Sequence, residues 1–110
     1  MSMLDRKERI LNLLEANPED DFLLYALAKE FENEKQMDES ILTFQKLLKI
    51  HPNYIGAYYH LAKALVSNQK KTEGILVIKD GIERAKALKD LHALSELQSL
   101  LNEIQMEDLI

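Results

Sequence analysis

The chain has 110 residues, a formal net charge of -5, no Cys, no Trp, and only 3 Gly and 2 Pro. That length suits one small domain and leaves no room for separate catalytic and regulatory domains. The acidic balance disfavours a non-specific nucleic-acid binder and suits a free cytoplasmic protein, while the lack of Cys removes disulfide frameworks and thiolate zinc sites.

The apolar residues include 20 Leu, 9 Ile and 9 Ala but only 2 Val, a mixture that favours helices over strands and predicts an all-α fold. In the amino-terminal segment 1–17, Asp5 to Arg9 are all charged where a signal peptide needs an unbroken apolar stretch, so no secretion signal is expected. Leu4, Ile10, Leu13 and Leu14 predict an amphipathic helix that ends at Asn17-Pro18. No apolar run approaches the roughly 20 residues needed to cross a bilayer, so no membrane partner is expected.

The two prolines, in Asn17-Pro18 and His51-Pro52, stand 34 residues apart and invite a search for an internal repeat. Setting residues 21–54 over 55–88 gives seven identical pairs: Tyr25/Tyr59, Leu27/Leu61, Ala28/Ala62, Lys29/Lys63, Glu39/Glu73, Ile41/Ile75 and Leu42/Leu76. Apolar replacements at Leu24/Tyr58, Phe31/Leu65 and Phe44/Ile78 extend the pattern. Within each copy the apolar residues recur three and four apart, which places them on one face of each of two helices. A polar turn separates the helices, Asn33 to Gln36 in one copy and Ser67 to Lys71 in the other, with Asp38 and Thr72 predicted to cap the second helix. Each copy therefore reads as a helical hairpin.

This pattern resembles the tetratricopeptide repeat, a 34-residue pair of antiparallel helices, in a small protein of bacterial type. The first copy presents Leu24, Leu27, Ala28, Phe31, Ser40, Phe44 and Pro52 at the family's positions, departing at Leu47 where a small residue is usual. The second presents Tyr58, Leu61, Ala62, Leu65, Gly74, Ile78 and Gly81, departing at Lys86 where the proline would fall. Ala28, Ala62, Gly74 and Gly81 are expected to let neighbouring helices approach closely. The resemblance implies an α-α superhelix: a short solenoid of about six helices forming a single domain. Its parts are a half-repeat helix in 1–17, repeats in 21–54 and 55–88, and a capping helix and tail in 89–110. About three stacked units are needed to bury such a core.

Strict continuation of the period beyond residue 89 would bury His92, Ser95, Glu96 and Ser99, stranding polar groups. Sliding the register by two residues instead turns Leu94, Leu97 and Leu101 inward, with a connector about two residues longer near Ala87 to Asp90. Asp90 is then the cap of a last helix over about 91–105.

The residues offer little chemistry. His51, His60 and His92 are scattered, and none belongs to a nucleophile motif. His92 and Glu96, four apart on one face with His60 on the neighbouring helix, have the spacing of a surface metal site, but the same spacing serves an ordinary solvent-facing pair. Glu30, Glu32 and Glu34 read as a solvated helix end. No glycine loop is spaced to cradle phosphate, since Gly56, Gly74 and Gly81 stand far apart. No catalytic residue, metal or cofactor is expected, and the chain does not read as an enzyme. Residues 55–88 hold six basic and three acidic residues beside Tyr54, Tyr58 and Tyr59, but the core pattern claims Tyr58, and no nucleic-acid partner is expected.

The resemblance implies a different surface, the concave groove lined by first helices. Its positions carry Phe22, Tyr25, Ala26, Lys29 and Asn33, then Gly56, Tyr59, His60, Lys63 and Ser67. Two aromatic-plus-cation steps, Tyr25 with Lys29 and Tyr59 with Lys63, point to an acidic or carboxylate-ended peptide or partner protein. The lysine and asparagine clamp of the family's chaperone-binding members is not reproduced. The alternative is a structural protein that oligomerises through its last helix, whose Leu91, Leu94, Leu97, Leu100, Leu101 and Ile104, with tail residues Met106, Leu109 and Ile110, make a wide apolar face.

Overall fold

In a computed structural model, which describes residues 5–109, the chain forms α1 (Arg6–Ala16), α2 (Asp21–Asn33), α3 (Met37–Ile50), α4 (Gly56–Ser67), α5 (Lys71–Leu88) and α6 (Leu91–Glu107). No strand occurs among the described residues, as the composition predicts. Leu4 and Ile110 lie outside the described residues. The chain divides into two compact units, Met1–Tyr54 and Ile55–Ile110.

Local chemistry sets the helix ends. Asp5, Asp20 and Asp90 cap α1, α2 and α6, their carboxylates accepting from the amides of Glu8, Leu23 and Ala93 at 2.8, 2.9 and 3.0 Å. Lys35, Gln69 and Lys89, which follow α2, α4 and α5, take left-handed φ values of 60°, 62° and 57°. At each, two amides fold back onto the last turn: Lys35 and Gln36 onto Glu32 and Phe31, Gln69 and Lys70 onto Val66 and Leu65, Lys89 and Asp90 onto Lys86 and Ala85. These are three Schellman motifs built without glycine.

The tight turns correct two expectations. Because the chain reverses within three residues, α3 begins at Met37 and α5 at Lys71, and neither helix has a side-chain cap. Asp38 and Thr72 lie within the first turns instead, where Asp38 still meets the positive end of the helix dipole. The carboxyl-terminal connector is also short, only Lys89 and Asp90, because the additional residues join α5. With Lys86 where a proline would have stopped it, α5 runs 18 residues against 14 for α3.

In the first unit α2 packs between α1 and α3. The Ser40 hydroxyl donates to the Ala28 carbonyl at 3.0 Å, and Tyr25 meets Phe44 edge-on with ring centroids 6.1 Å apart. Later residues of α3 thus face earlier residues of α2, which makes the hairpin antiparallel. Leu24, Leu27, Ala28, Ile41, Phe44 and Leu47 are buried, and each large side chain contributes about 1.5–3 kcal/mol by leaving water. On the other side of α2, Arg6 pairs with Glu30, and Lys7 pairs with Glu34 at 2.9 Å while lying 5.6 Å above the Phe31 ring. Glu30 and Glu34 are therefore not a merely solvated helix end: they fasten α1. Ile10 is buried as expected, but Leu13, expected on the inner face, is 54% exposed.

In the second unit α5 packs against α4 and α6, and α4 also touches α6. The glycines act as their positions suggest. A Cβ on Gly74 would stand 2.7 Å from Val66 Cγ2 and 3.1 Å from the Ala62 carbonyl oxygen, and one on Gly81 2.8 and 2.9 Å from Tyr58 Cβ and Cγ. Leu97, Leu100 and Ile104 of α6 are buried, whereas Leu94 and Leu101 are only half-buried. The inward stripe is thus rotated from the expected one, toward α4 and α5 and away from the uncovered side. Ser95, Glu96, Ser99 and Glu103 are exposed, as the shifted register requires.

Candidate functional site

The ten positions that the resemblance assigns to the groove fall on α2 and α4, and none of them is buried. On α2, residues 22, 25, 26, 29 and 33 share one face because they lie three, four, seven and eleven apart. Phe22 is 66% exposed. Tyr25 is half-buried between Phe44 and Tyr54, whose ring centroid is 5.2 Å away, and burial, aided by the Glu32 carboxylate, raises its hydroxyl above the ordinary tyrosine range. Lys29 Nζ stands 3.6 Å from Glu32 Oε1.

The α4 station is more open. Lys63 Nζ lies 5.4 Å from the Tyr59 ring centroid, within range of a cation–π contact, and the His60 ring meets Tyr59 edge-on at 5.7 Å. Gly56, Lys63 and Ser67 are exposed. The two aromatic-plus-cation steps are therefore unequal. Tyr25 is committed to a ring cluster and Lys29 leans toward a carboxylate, whereas Tyr59 and Lys63 hold each other at the surface.

Tyr54 was legible only as a possible stacking residue, yet the structure gives it to the Tyr25 cluster. Its place after the proline turn, packed against a ring two helices back in sequence, leaves no local signal. Tyr58 is buried, and its hydroxyl meets Arg84; burial outweighs that guanidinium and raises the hydroxyl. Tyr58 offers no free face on which bases would stack.

The remaining polar candidates stand apart. His51 Nε2 lies 2.6 Å from the Glu19 carbonyl oxygen, so that nitrogen carries the proton and donates, tying one proline turn to the other. His92 pairs with Glu96 at 2.9 Å, the solvent-facing arrangement weighed against a metal site. Among the described residues, no group of three or more His, Cys, Asp or Glu stands close enough to hold a metal ion. A cleft of about 370 Å³ opens above Leu24 and Leu27, but its Thr43 hydroxyl donates to Glu39 and its other polar lining is Glu15 and Lys46. Nothing there forms a nucleophile with an adjacent base. Among the described residues, no helix is long and apolar enough to cross a membrane.

Antiparallel hairpins at a 34-residue period, joined by tight polar turns and packed through small residues, define a helical repeat protein. No family model and no curated protein matches the chain. It is 31% identical to a tetratricopeptide repeat domain protein of Salinibacter ruber, over 78% of this chain and 96% of that one, with a TM-score of 0.74. The chain belongs to the tetratricopeptide repeat family. A protein of Bordetella parapertussis aligns at 24% identity over 96% of this chain and 92% of its own, TM-score 0.84. The TPR2B domain of yeast Sti1, solved in a complex with pHsp70, aligns at 15% identity over 92% and 81%, TM-score 0.84. These last two share the fold.

Proposed function

We propose that the chain is a non-catalytic protein-interaction module whose groove-facing α2 and α4 residues take a peptide or a partner protein. The observation that carries this reading is that every groove position keeps surface exposed, although the same two helices bury Leu24, Leu27, Ala28, Tyr58, Leu61 and Ala62. The repeat thus preserves Tyr25/Tyr59 and Lys29/Lys63 at positions that keep surface exposed, although Tyr25 also packs on Phe44 and Tyr54. The complex of the yeast Sti1 domain with pHsp70 shows that a domain of this fold holds a protein partner.

An acidic or carboxylate-ended peptide suits the α4 station. Its rigid Tyr59 supplies contact area at low entropic cost, and Lys63 supplies a cation already lodged on the ring and still open to solvent. Fluorescence anisotropy with a pool of labelled acidic peptides, each with a free or an amidated carboxyl end, tests the reading. Free-ended peptides should bind more tightly, and the double variant Tyr59→Ala with Lys63→Ala should lose at least tenfold in affinity while keeping its helical circular dichroism. Equal binding by the folded double variant would remove the site.

A further inference from the structure

The proposed groove extends past α4. Within the second unit α6 packs against α4 as well as α5, and burial gives its phase: Leu61 and Ala64 of α4 are buried, and so are Leu97 and Leu100, 36 residues further along. The same interval carries the groove positions of α4 onto His92, Ser95, Glu96, Ser99 and Glu103. All five are exposed. α6 therefore supplies a further station, and its chemistry differs from that of the other two. Ser95 and Ser99 take the phases of Tyr59 and Lys63, so the aromatic-plus-cation step that α2 and α4 share is absent here.

Charge changes sign between the two helices. Among Asp, Glu, Lys and Arg, α4 has Lys63 alone, whereas α6 has Glu96, Glu103 and Glu107 and neither Lys nor Arg. Lys63, Glu96 and Glu103 all lie at groove positions, yet the chain does not pair them with one another. Glu96 meets His92 of its own helix at 2.9 Å, and Lys63 leans on the Tyr59 ring. Among the described residues, neither Lys63 nor Glu103 has an ion-pair partner. A cation on one helix and two carboxylates on its neighbour, all open to water, make a bipolar surface.

We infer that this surface selects a bipolar peptide, with a carboxylate on Lys63 and a Lys or Arg about three residues away, between Glu96 and Glu103. The inference rests on the α4 station proposed above and names its ligand more closely. Ser99 has the phase of Lys63, and Glu96 and Glu103 stand one turn to either side of it, so a chain crossing from Lys63 to α6 arrives between two carboxylates. Packed helices lie about 8–10 Å apart and an extended chain advances about 3.3 Å per residue, which sets the spacing. A peptide held by its terminal carboxylate continues in one direction only, so the base falls upstream. A uniformly acidic peptide would satisfy Lys63 but drive its other carboxylates onto those of α6.

Fluorescence anisotropy with two labelled peptides of identical composition, both ending in a free carboxyl, tests the inference. One carries its single Lys about three residues before the terminal residue, and the other carries it at the far end. The first should bind the parent chain roughly three- to tenfold more tightly, the sum expected of two exposed ion-pair contacts. Glu96→Lys combined with Glu103→Lys should reverse that order, a change that a general loss of stability cannot imitate. Circular dichroism checks that this variant keeps its helices, since both positions are exposed. Lys63→Ala should weaken both peptides alike, which reports on the α4 station separately. Equal affinity of the two peptides for the parent, with Lys63→Ala still weakening both, would overturn the bipolar selection and leave the α4 station standing. Failure of both peptides to bind, or binding indifferent to Lys63→Ala, would overturn the two together.

Discussion

At the scale of single residues, two glycines one helix apart show that composition cannot rank positions without packing. Replacing glycine by alanine within a helix gains about 1 kcal/mol from backbone entropy and propensity. Gly56 begins α4 with nothing within 4 Å of the place an added methyl would take, so Gly56→Ala should be neutral or stabilise by up to about 1 kcal/mol. At Gly81 the added Cβ would meet the root of the Tyr58 side chain rather than a mobile tip, and Leu97 Cδ1 lies 3.1 Å away on the far side. Overpacking of that kind costs about 1–3 kcal/mol and outweighs the propensity gain. Urea denaturation should therefore find Gly81→Ala less stable than the parent; a gain equal to that of Gly56→Ala would mean that the α4–α5 contact is slack. Small residues at helical spacing announced this contact in the sequence, because only a close approach gives them a common purpose. Leu13 carried no comparable signal: it has the same residue type and phase as Leu47, yet among the described residues Leu13 is exposed and Leu47 is buried.

At the scale of elements, periodicity located all six helices, while the boundaries depended on backbone bonds that residue types scarcely reveal. Polar turns after α2 and α4 were legible, but a left-handed Lys35 or Gln69 is not, since neither residue is a usual choice for positive φ. For the same reason Asp38 and Thr72 looked like caps: they are the first residues of capping type after each turn, and the Schellman bonds had already closed the turn ahead of them. The length of α5 is the clearest consequence of one substitution in the repeat. Lys86 stands where the first copy has Pro52, and its amide remains available for the helix, which continues to Leu88 and then closes through the bond from Asp90 to the Ala85 carbonyl at 2.9 Å. Restoring the repeat's proline should therefore harm the protein. Lys86→Pro removes an amide donor and presses its ring on the preceding turn, beside buried Ala85, and should cost about 3 kcal/mol. The loss would register as a lower urea midpoint and reduced helical ellipticity; unchanged stability would show that the last turn of α5 contributes nothing to the fold.

At the scale of the whole molecule, charge was legible as a sum and a distribution, but not as a set of partners. The run Glu30, Glu32, Glu34 reads as solvated until the fold brings Arg6 and Lys7 against it, and Tyr25 and Tyr59 look equivalent until Tyr54 folds onto only the first. The positions assigned to the groove all keep surface exposed, whereas the inequality of its two stations depended on contacts distant in sequence. Those contacts also determine how stability responds to alkali. Burial is the first cause that raises the hydroxyls of Tyr25, Tyr54 and Tyr58 above the ordinary value of about 10. Below that pH both folded and unfolded chains keep these protons, so the groups add no pH dependence. Above it the unfolded chain loses protons that the folded chain retains, and the stability of the fold declines as pH rises. Lys7 acts in the same direction: its hydrogen bond with Glu34 raises its pKa, so its contribution is present below about 10.5 and is lost as pH climbs through the folded value. Thermal unfolding followed by circular dichroism should thus give a midpoint unaffected by these groups near neutrality and falling above about pH 10. Tyr25→Phe combined with Tyr54→Phe should flatten part of that fall, because the two rings remain while their titrating protons are gone. An alkaline slope identical in the parent and the double variant would show that these hydroxyls ionise as freely in the fold as in the unfolded chain.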